Sequence, residues 1–221
     1  FDLKGKFIGP GFVHDMVRSN MLHARILRGP HAEARARHVD AAQLRALEGV
    51  TELVIKGDFI ALLGPDEAML LRAYEKAYAL VDWKLPNLPA YQEIETLLTG
   101  LPAIDDKVVS EGKALPSSQR VTHRYSKPYI AHASIGLVCA LAEPLRHSAN
   151  QTGLTVYTQS QGVFKLRQQI AAALGFSEDL LDVVHSPGAG CYGHNGADDV
   201  ALDAAFLAHH LQVPVRVQWT R

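Results

Sequence analysis

With 221 residues, 48% of them apolar, and a formal net charge of −1, the chain can bury a core as one large domain or two small ones, and it lacks the basic footprint that nucleic acid requires. Its two cysteines, Cys139 and Cys191, cannot build a disulfide scaffold, a zinc ribbon or an iron–sulfur site, so a reducing, cytoplasmic setting is expected. Apolar runs such as IGLVCALA at 135–142 fall far short of a membrane span, and ends at Phe1 and Arg221 that look cut from something longer lead us to expect a fragment.

Residues 3–13 read as an extended segment broken by Gly9, Pro10 and Gly11, and MLHARILR at 21–28 alternates as a strand should. Asp40 stands at an N-cap position with Gln43 three residues on and Gly49 beyond, which brackets AAQLRALE as a short helix. TELVIKG and DFIALLG are strands. Asp66 and Glu67 open a helix over 66–80 whose buried face carries Met69, Leu70, Ala73 and Ala77, and VDWKL closes this part as a strand. Residues 1–85 thus form one α+β domain. From 86 to 119, Pro86, Pro89, Pro102 and Pro116 punctuate a polar linker with one helical candidate, EIETLLTG.

A second domain is expected over 120–221. It opens with strands at RVTHRYS, IGLVCALA and LTVYTQ and continues with VFKLRQQIAAAL, a helix with Val163, Leu166, Ile170 and Leu174 on one face and Gly175 as a left-handed cap. LLDVVHS is a strand that runs into GAGCYGHNGADD at 188–199. Asp198 or Asp199 then begins a helix with a Val200, Ala204, Leu207, Ala208 and Leu211 stripe, and VPVRVQW is the last strand.

The glycines at 188, 190 and 193 satisfy the dinucleotide pattern G-x-G-x-x-G between a strand and a helix. The physics argues against that ligand. In a dinucleotide-binding turn the third glycine lies in the first helical turn, where the pyrophosphate meets free N–H groups. Here His194, Asn195 and Gly196 intervene, and two aspartates sit where the pyrophosphate would be. The acidic residue expected on the second strand is also missing from VPVRVQWTR. An NAD(P)-binding domain is therefore the weaker reading.

TQSQGVFKLRQQIAAALGF, LLDVVHSPGAGCYGHNG and DDVALDAAFLAHHLQVPVRVQWTR, taken in order, resemble the molybdenum-cofactor-binding large subunit of the xanthine dehydrogenase and aldehyde oxidase family. GKFIGPGFVHDM with MLHARILRGPHAEARARHVDAAQLRALEGV is similar to the small α/β hammerhead domain of that family, and YSKPYIAHASIGLVCALA to the segment that opens its cofactor domain. The details resemble most the bacterial branch containing nicotinate dehydrogenase and isoquinoline oxidoreductase. The resemblance implies a hammerhead-like domain followed by the first part of a molybdopterin-binding α+β domain.

It also implies a site. Gln161 matches the family glutamine beside the molybdenum ligands, and Gly190, Cys191, Tyr192 and Gly193 fall on the glycine loop whose backbone lies against the cofactor; none of these ligates a metal directly. Neutral amide donors suit the anionic oxygens of such a group, and residues without a Cβ let backbone approach it. The chain departs from the family at Ala189 and Cys191, which interrupt a glycine triplet, at Tyr192 for phenylalanine, and at SIGLVC, where the family has Pro-Met-Glu-Pro. The family's catalytic glutamate lies outside this segment. The implied parent enzyme oxidises an aldehyde or hydroxylates an N-heteroaromatic ring with oxygen from water, passing electrons to iron–sulfur centres or a cytochrome on a partner chain or domain. The fragment alone is expected to be inactive. A degenerate scaffold kept for subunit assembly is the alternative from outside enzymology. From the residues alone, His132 reads as a structural histidine, Cys191 as a loop cysteine, and His209 and His210 as complements to a helix C-terminus.

Overall fold

The structure is a computed structural model, and it describes residues 11–87, 94–102, 111–112, 121–127, 130, 132–148, 151–188, 190–193 and 198–220. Nine strands appear among them: β1 (Leu22–Leu27), β2 (Arg35–Val39), β3 (Glu52–Lys56), β4 (Phe59–Gly64), β5 (Val81–Lys84), β6 (Cys139–Ser148), β7 (Gln151–Thr158), β8 (Leu181–His185) and β9 (Val215–Gln218). The α-helices are α1 (Ala41–Arg45), α2 (Glu67–Ala77), α3 (Ile94–Gly100), α4 (Val163–Leu174) and α5 (Asp199–Leu211). This is the α+β class read from the sequence.

Seven strands form one sheet in the order β3-β4-β1-β9-β6-β7-β8, while β2 and β5 pair antiparallel in a separate ribbon. The seam of the large sheet is the parallel pairing of β1 with β9, Leu22 opposite Val215 and Ala24 opposite Val217. Strands from the two ends of the sequence thus share one ladder. The described residues up to Pro86 and those from His132 onward belong to one compact unit, and Asn87–Ala131 to a second, so the boundary expected at residue 85 does not separate two cores. The physical reason is that β1 has a partner from its own part of the chain, β4, on one side only, and β9 supplies the other.

Alternation along the strands sorts the core onto the two faces of the sheet. Ala24, Ile26, Ala61, Leu63, Ala140, Ala142, Val156 and Val217 lie in the cluster with α4 and α5, to which Leu166, Ile170, Val200, Ala204 and Leu207 contribute. Their neighbours Leu27, Ile60 and Leu62 join Leu44 of α1 and Leu70 of α2 in a separate cluster. β4 is buried on both sides, which is why FIALLG reads as a continuous apolar run and not as an alternation. A third cluster joins Cys139 and Leu141 to Val13 and Met21, beneath a short 3₁₀ turn at Val13–Asp15. Burial pushes the Cys139 thiol up to about 12, so this cysteine is an inert apolar filler.

The helix signals hold. Asp40 accepts from the Gln43 backbone N–H at 3.0 Å, Asp66 from that of Met69 at 2.8 Å, and Gly175 ends α4 in the left-handed conformation. α1 stops at Arg45, short of the expected AAQLRALE, because Leu47 and Val50 turn inward onto the core instead of continuing the helix. EIETLLTG is helical from Ile94, as α3. Two strand readings need correction. RVTHRYS is not a strand: its described residues, 121–126, are exposed and pair with no ladder, so its alternation has no face to bury. RARHV, unassigned in the sequence, is β2; its partner among the described residues is β5, and two arginines and a histidine hid the pattern. IGLVCALA enters the sheet only at Cys139, whereas Ile135 is exposed.

Buried charge ties the seam together. Arg25 of β1 and Arg216 of β9 are 4% and 7% exposed, and both bond Glu67 at the start of α2, at 3.0 and 2.9 Å. Arg25 also donates to the Gln218 carbonyl at 2.6 Å. At the far end of β1, Arg28 grips both carboxylate oxygens of Asp203 in α5 at 2.7 Å, and the Trp219 indole N–H donates to the same carboxylate at 3.0 Å. Desolvation raises the Asp203 pKa against the pull of Arg28, as expected for a carboxylate drawn into a core by its partner.

Candidate functional site

β7 and β8 run parallel, Leu154 opposite Leu181 through Thr158 opposite His185, and α4 connects them. Their carboxyl ends therefore lie side by side, and the loops that leave them, residues 159–162 and 186–193, meet over the sheet edge, a location where open sheets with parallel strands commonly receive ligands. Ser186 N–H donates to the Thr158 carbonyl at 2.8 Å, and the His185 ring N–H to the Ser160 carbonyl at 2.8 Å, so the ladder continues for one step past each strand.

The two glutamines of TQSQ play different parts because β7 ends at Thr158, and past it the chain no longer keeps residues two apart on one face. Gln159 is 2% exposed and lies under the glycine loop, where a Cβ on Gly188 would collide with its amide oxygen. Gln161 is exposed and reaches the other end of the loop, its Nε2 donating to the Gly193 carbonyl at 3.4 Å. Between them Ser160 donates to Asp198 Oδ2 at 3.0 Å and accepts from the Gly162 N–H at 3.1 Å, which fixes the strand end to the entry of α5. Of the two glutamines, the sequence pointed to Gln161 alone; Gln159 carried the same signal, a glutamine at the end of an apolar strand, one alternation earlier.

The loop itself is held in unusual backbone. Gly190, Tyr192 and Gly193 have φ values of 97°, 54° and 123°. Left-handed backbone at a tyrosine is uncommon and is seen most where surroundings impose it. Tyr192 is 58% exposed and its ring folds back so that a Cβ on Gly190 would lie 3.0 Å from the hydroxyl oxygen. A Cβ on Gly193 would lie 3.0 Å from His132 Nε2. Glycine at 193 is thus required twice, by φ and by the imidazole beside it. Cys191 is half-buried with a free thiol. Ala189, His194, Asn195 and Gly196 lie outside the described residues.

The structure therefore brings four of the five expected residues, Gln161, Gly190, Tyr192 and Gly193, onto one patch, with Cys191 inside the same loop. It adds His132 as a neighbour that was read only as structural. α5 begins at Asp199, past the glycines, so no glycine of the G-x-G-x-x-G pattern lies in its first turn. Among the described residues, no group of three or more His, Cys, Asp or Glu is arranged to hold a metal ion, and no helix is long and apolar enough to cross a membrane. The patch offers an exposed side-chain amide beside a glycine-rich backbone, the kind of neutral donor set that an anionic, externally ligated group would need.

Comparison with known proteins bears on which group that is. The family of molybdopterin cofactor-binding domains matches residues 106–221. The chain is 34% identical, over its whole length, to a nicotinate dehydrogenase subunit of Pseudomonas putida, of which it spans 19%. Among solved structures, quinoline 2-oxidoreductase from Pseudomonas putida 86 matches 97% of the chain with a TM-score of 0.69 at 21% identity, and aldehyde oxidoreductase from Desulfovibrio gigas matches 95% with a TM-score of 0.60 at 15% identity. The chain spans 33% and 28% of those two proteins.

Proposed function

Because the chain belongs to the molybdopterin cofactor-binding domain family, we propose that it forms part of the cofactor pocket of a molybdenum hydroxylase, with the Gln161 and Gly190–Gly193 patch as its contribution. The observation that carries this reading is the meeting of Gln161 with the glycine loop: an exposed amide and a loop of left-handed backbone converge where two parallel strands end. Similarity over the full chain to a nicotinate dehydrogenase subunit supports an N-heteroaromatic carboxylate or a related ring compound as substrate, ahead of a simple aldehyde.

When bound, the molybdenum cofactor supplies the redox chemistry, the transfer of oxygen from water to the substrate and of electrons to the next carrier. The residues of this chain bind and orient it. The Gln161 amide, whose donor rests at 3.4 Å from the Gly193 carbonyl, is placed to exchange that long bond for one to an anionic oxygen. Glycine at 193 and 190 lets the loop pack closely against the His132 imidazole and the hydroxyl end of the Tyr192 ring, which hold its shape. Gln159 supports Gly188 from below and sets the height of the loop. Iron–sulfur centres or a cytochrome on a partner chain or domain, in the cytoplasm, complete the proposed electron route, and a glutamate beyond this segment serves as base.

Replacing Gln161 by alanine in the full-length protein tests the reading. The expected result is loss of molybdenum and pterin with unchanged folding, because Gln161 is exposed and its bond to the loop is long. Undiminished cofactor content would contradict it.

A further inference from the structure

The 3₁₀ turn at Val13–Asp15 is far from the candidate site in sequence, yet it touches both segments that meet at Gly193. The Val13 N–H donates to the Pro187 carbonyl at 3.4 Å, at the root of the glycine loop. The His14 ring N–H donates to the Leu137 carbonyl at 2.7 Å, in the segment that runs from His132 into β6. The carbonyls of His14 and Met16 both accept from the Arg216 guanidinium, the latter at 3.2 Å, and Val13 is fully buried against Cys139 and Leu141. Arg216 is itself held by Glu67 at 2.9 Å, with His23 at 3.3 Å.

Of the two segments braced by the turn, one carries His132, whose imidazole bounds Gly193; the other carries the loop from Pro187 to Gly193. Their described residues belong to no ladder at that point: the sheet holds each segment at its root, through the Ser186 N–H to the Thr158 carbonyl and the Trp219 N–H to the Val138 carbonyl, and the turn bonds both segments at once. A guanidinium is suited to this work because its planar fork donates to two carbonyls of one turn and to a carboxylate at once.

We propose that the Val13–Asp15 turn, pinned by Arg216, is the positioning element of the glycine loop: it sets the distance between the His132 segment and Gly193, and so the face that Gln161 addresses. Arg216 and His14 are positioning residues, acting through Pro187 and Leu137. The proposal rests on the cofactor reading for its functional meaning, and its structural content can be tested apart from it.

The experiment is hydrogen–deuterium exchange on the full-length protein, comparing peptides over 187–193 and 181–185 in His14→Ala, His14→Gln and Arg216→Gln, with molybdenum and pterin measured on the same samples. His14 is only half-buried, so its variants should fold even where the Arg216 variant does not. In His14→Ala, exchange over 187–193 should speed by about ten-fold while 181–185 stays unchanged, because the loop opens locally and not with the sheet. His14→Gln, whose amide keeps a donor for the Leu137 carbonyl, should restore protection, and cofactor content should fall in His14→Ala and recover in His14→Gln. Unchanged loop exchange in His14→Ala overturns the brace even if molybdenum is present. Faster loop exchange in His14→Ala, in a protein whose wild type carries no molybdenum, sustains the brace and removes the cofactor reading.

Discussion

The β1–β9 seam and the glycine loop solve opposite problems. At the seam, two buried arginines converge on Glu67, and the two strands that carry them have partners on both sides. At the loop, the backbone is bent into left-handed conformations, Tyr192 lies open to solvent, and the bond from Gln161 is long. The seam uses buried charge to join two distant parts of the sequence. The loop leaves its donors near the surface, where a ligand can claim them. A rigid base with an under-committed rim is what a pocket for a large cofactor calls for.

The contrast is sharpened first by Glu67→Ala, which should have the largest effect on stability. Removing the carboxylate leaves Arg25 and Arg216 buried without their anion and should cost roughly 3 kcal/mol in denaturant unfolding. A loss no greater than that of an ordinary surface change would mean the seam does not depend on the cluster. Gly193→Ala comes next: the left-handed strain and the nearby His132 imidazole should cost about 1–2 kcal/mol, at the low end because the exposed loop can shift, while cofactor content falls sharply.

A pH measurement separates the regions without changing the loop. Burial, and then the charges of Arg216 and Arg25, lower the His23 pKa below its ordinary 6.5, against the opposing pull of Glu67 and Asp66. The unfolded chain therefore takes up a proton in a window below 6.5 where the folded chain does not. The stability contributed by neutral His23 is complete above 6.5 and is lost as pH falls through that window. His23→Phe should flatten the acid-side slope of the unfolding midpoint, and an unchanged slope would assign it to other groups. The smallest effect is expected from Gln161→Ala, a change in unfolding free energy within about 0.5 kcal/mol.

Most of the scaffold was legible in the sequence because its signals are local. Asp40 and Asp66 cap the helices they were expected to cap, and the stripes of α2, α4 and α5 face the core. What could not be read was set by distant partners. Nothing in LHARIL says that its second neighbour is VRVQ, near the other end of the chain, and nothing in RARHV offers an apolar face, because its ribbon is completed by β5. The site divides the same way. The glycines announced themselves by spacing and Gln161 by the family resemblance, whereas Gln159, His132 and the Val13–Asp15 turn gained their places only when the parallel ends of β7 and β8 came together.

The central claim is that the patch of Gln161, Gly190, Tyr192 and Gly193 helps to hold a molybdenum cofactor. The most direct measurement is elemental molybdenum together with released pterin in the full-length protein purified from its native cells, wild type beside Gln161→Ala. Near-stoichiometric molybdenum and pterin in the wild type, with a clear loss in a variant that unfolds at the same denaturant concentration, is the expected result. A folded, subunit-associated wild-type protein free of both would contradict the claim and leave the glycine loop as a structural remnant of a scaffold.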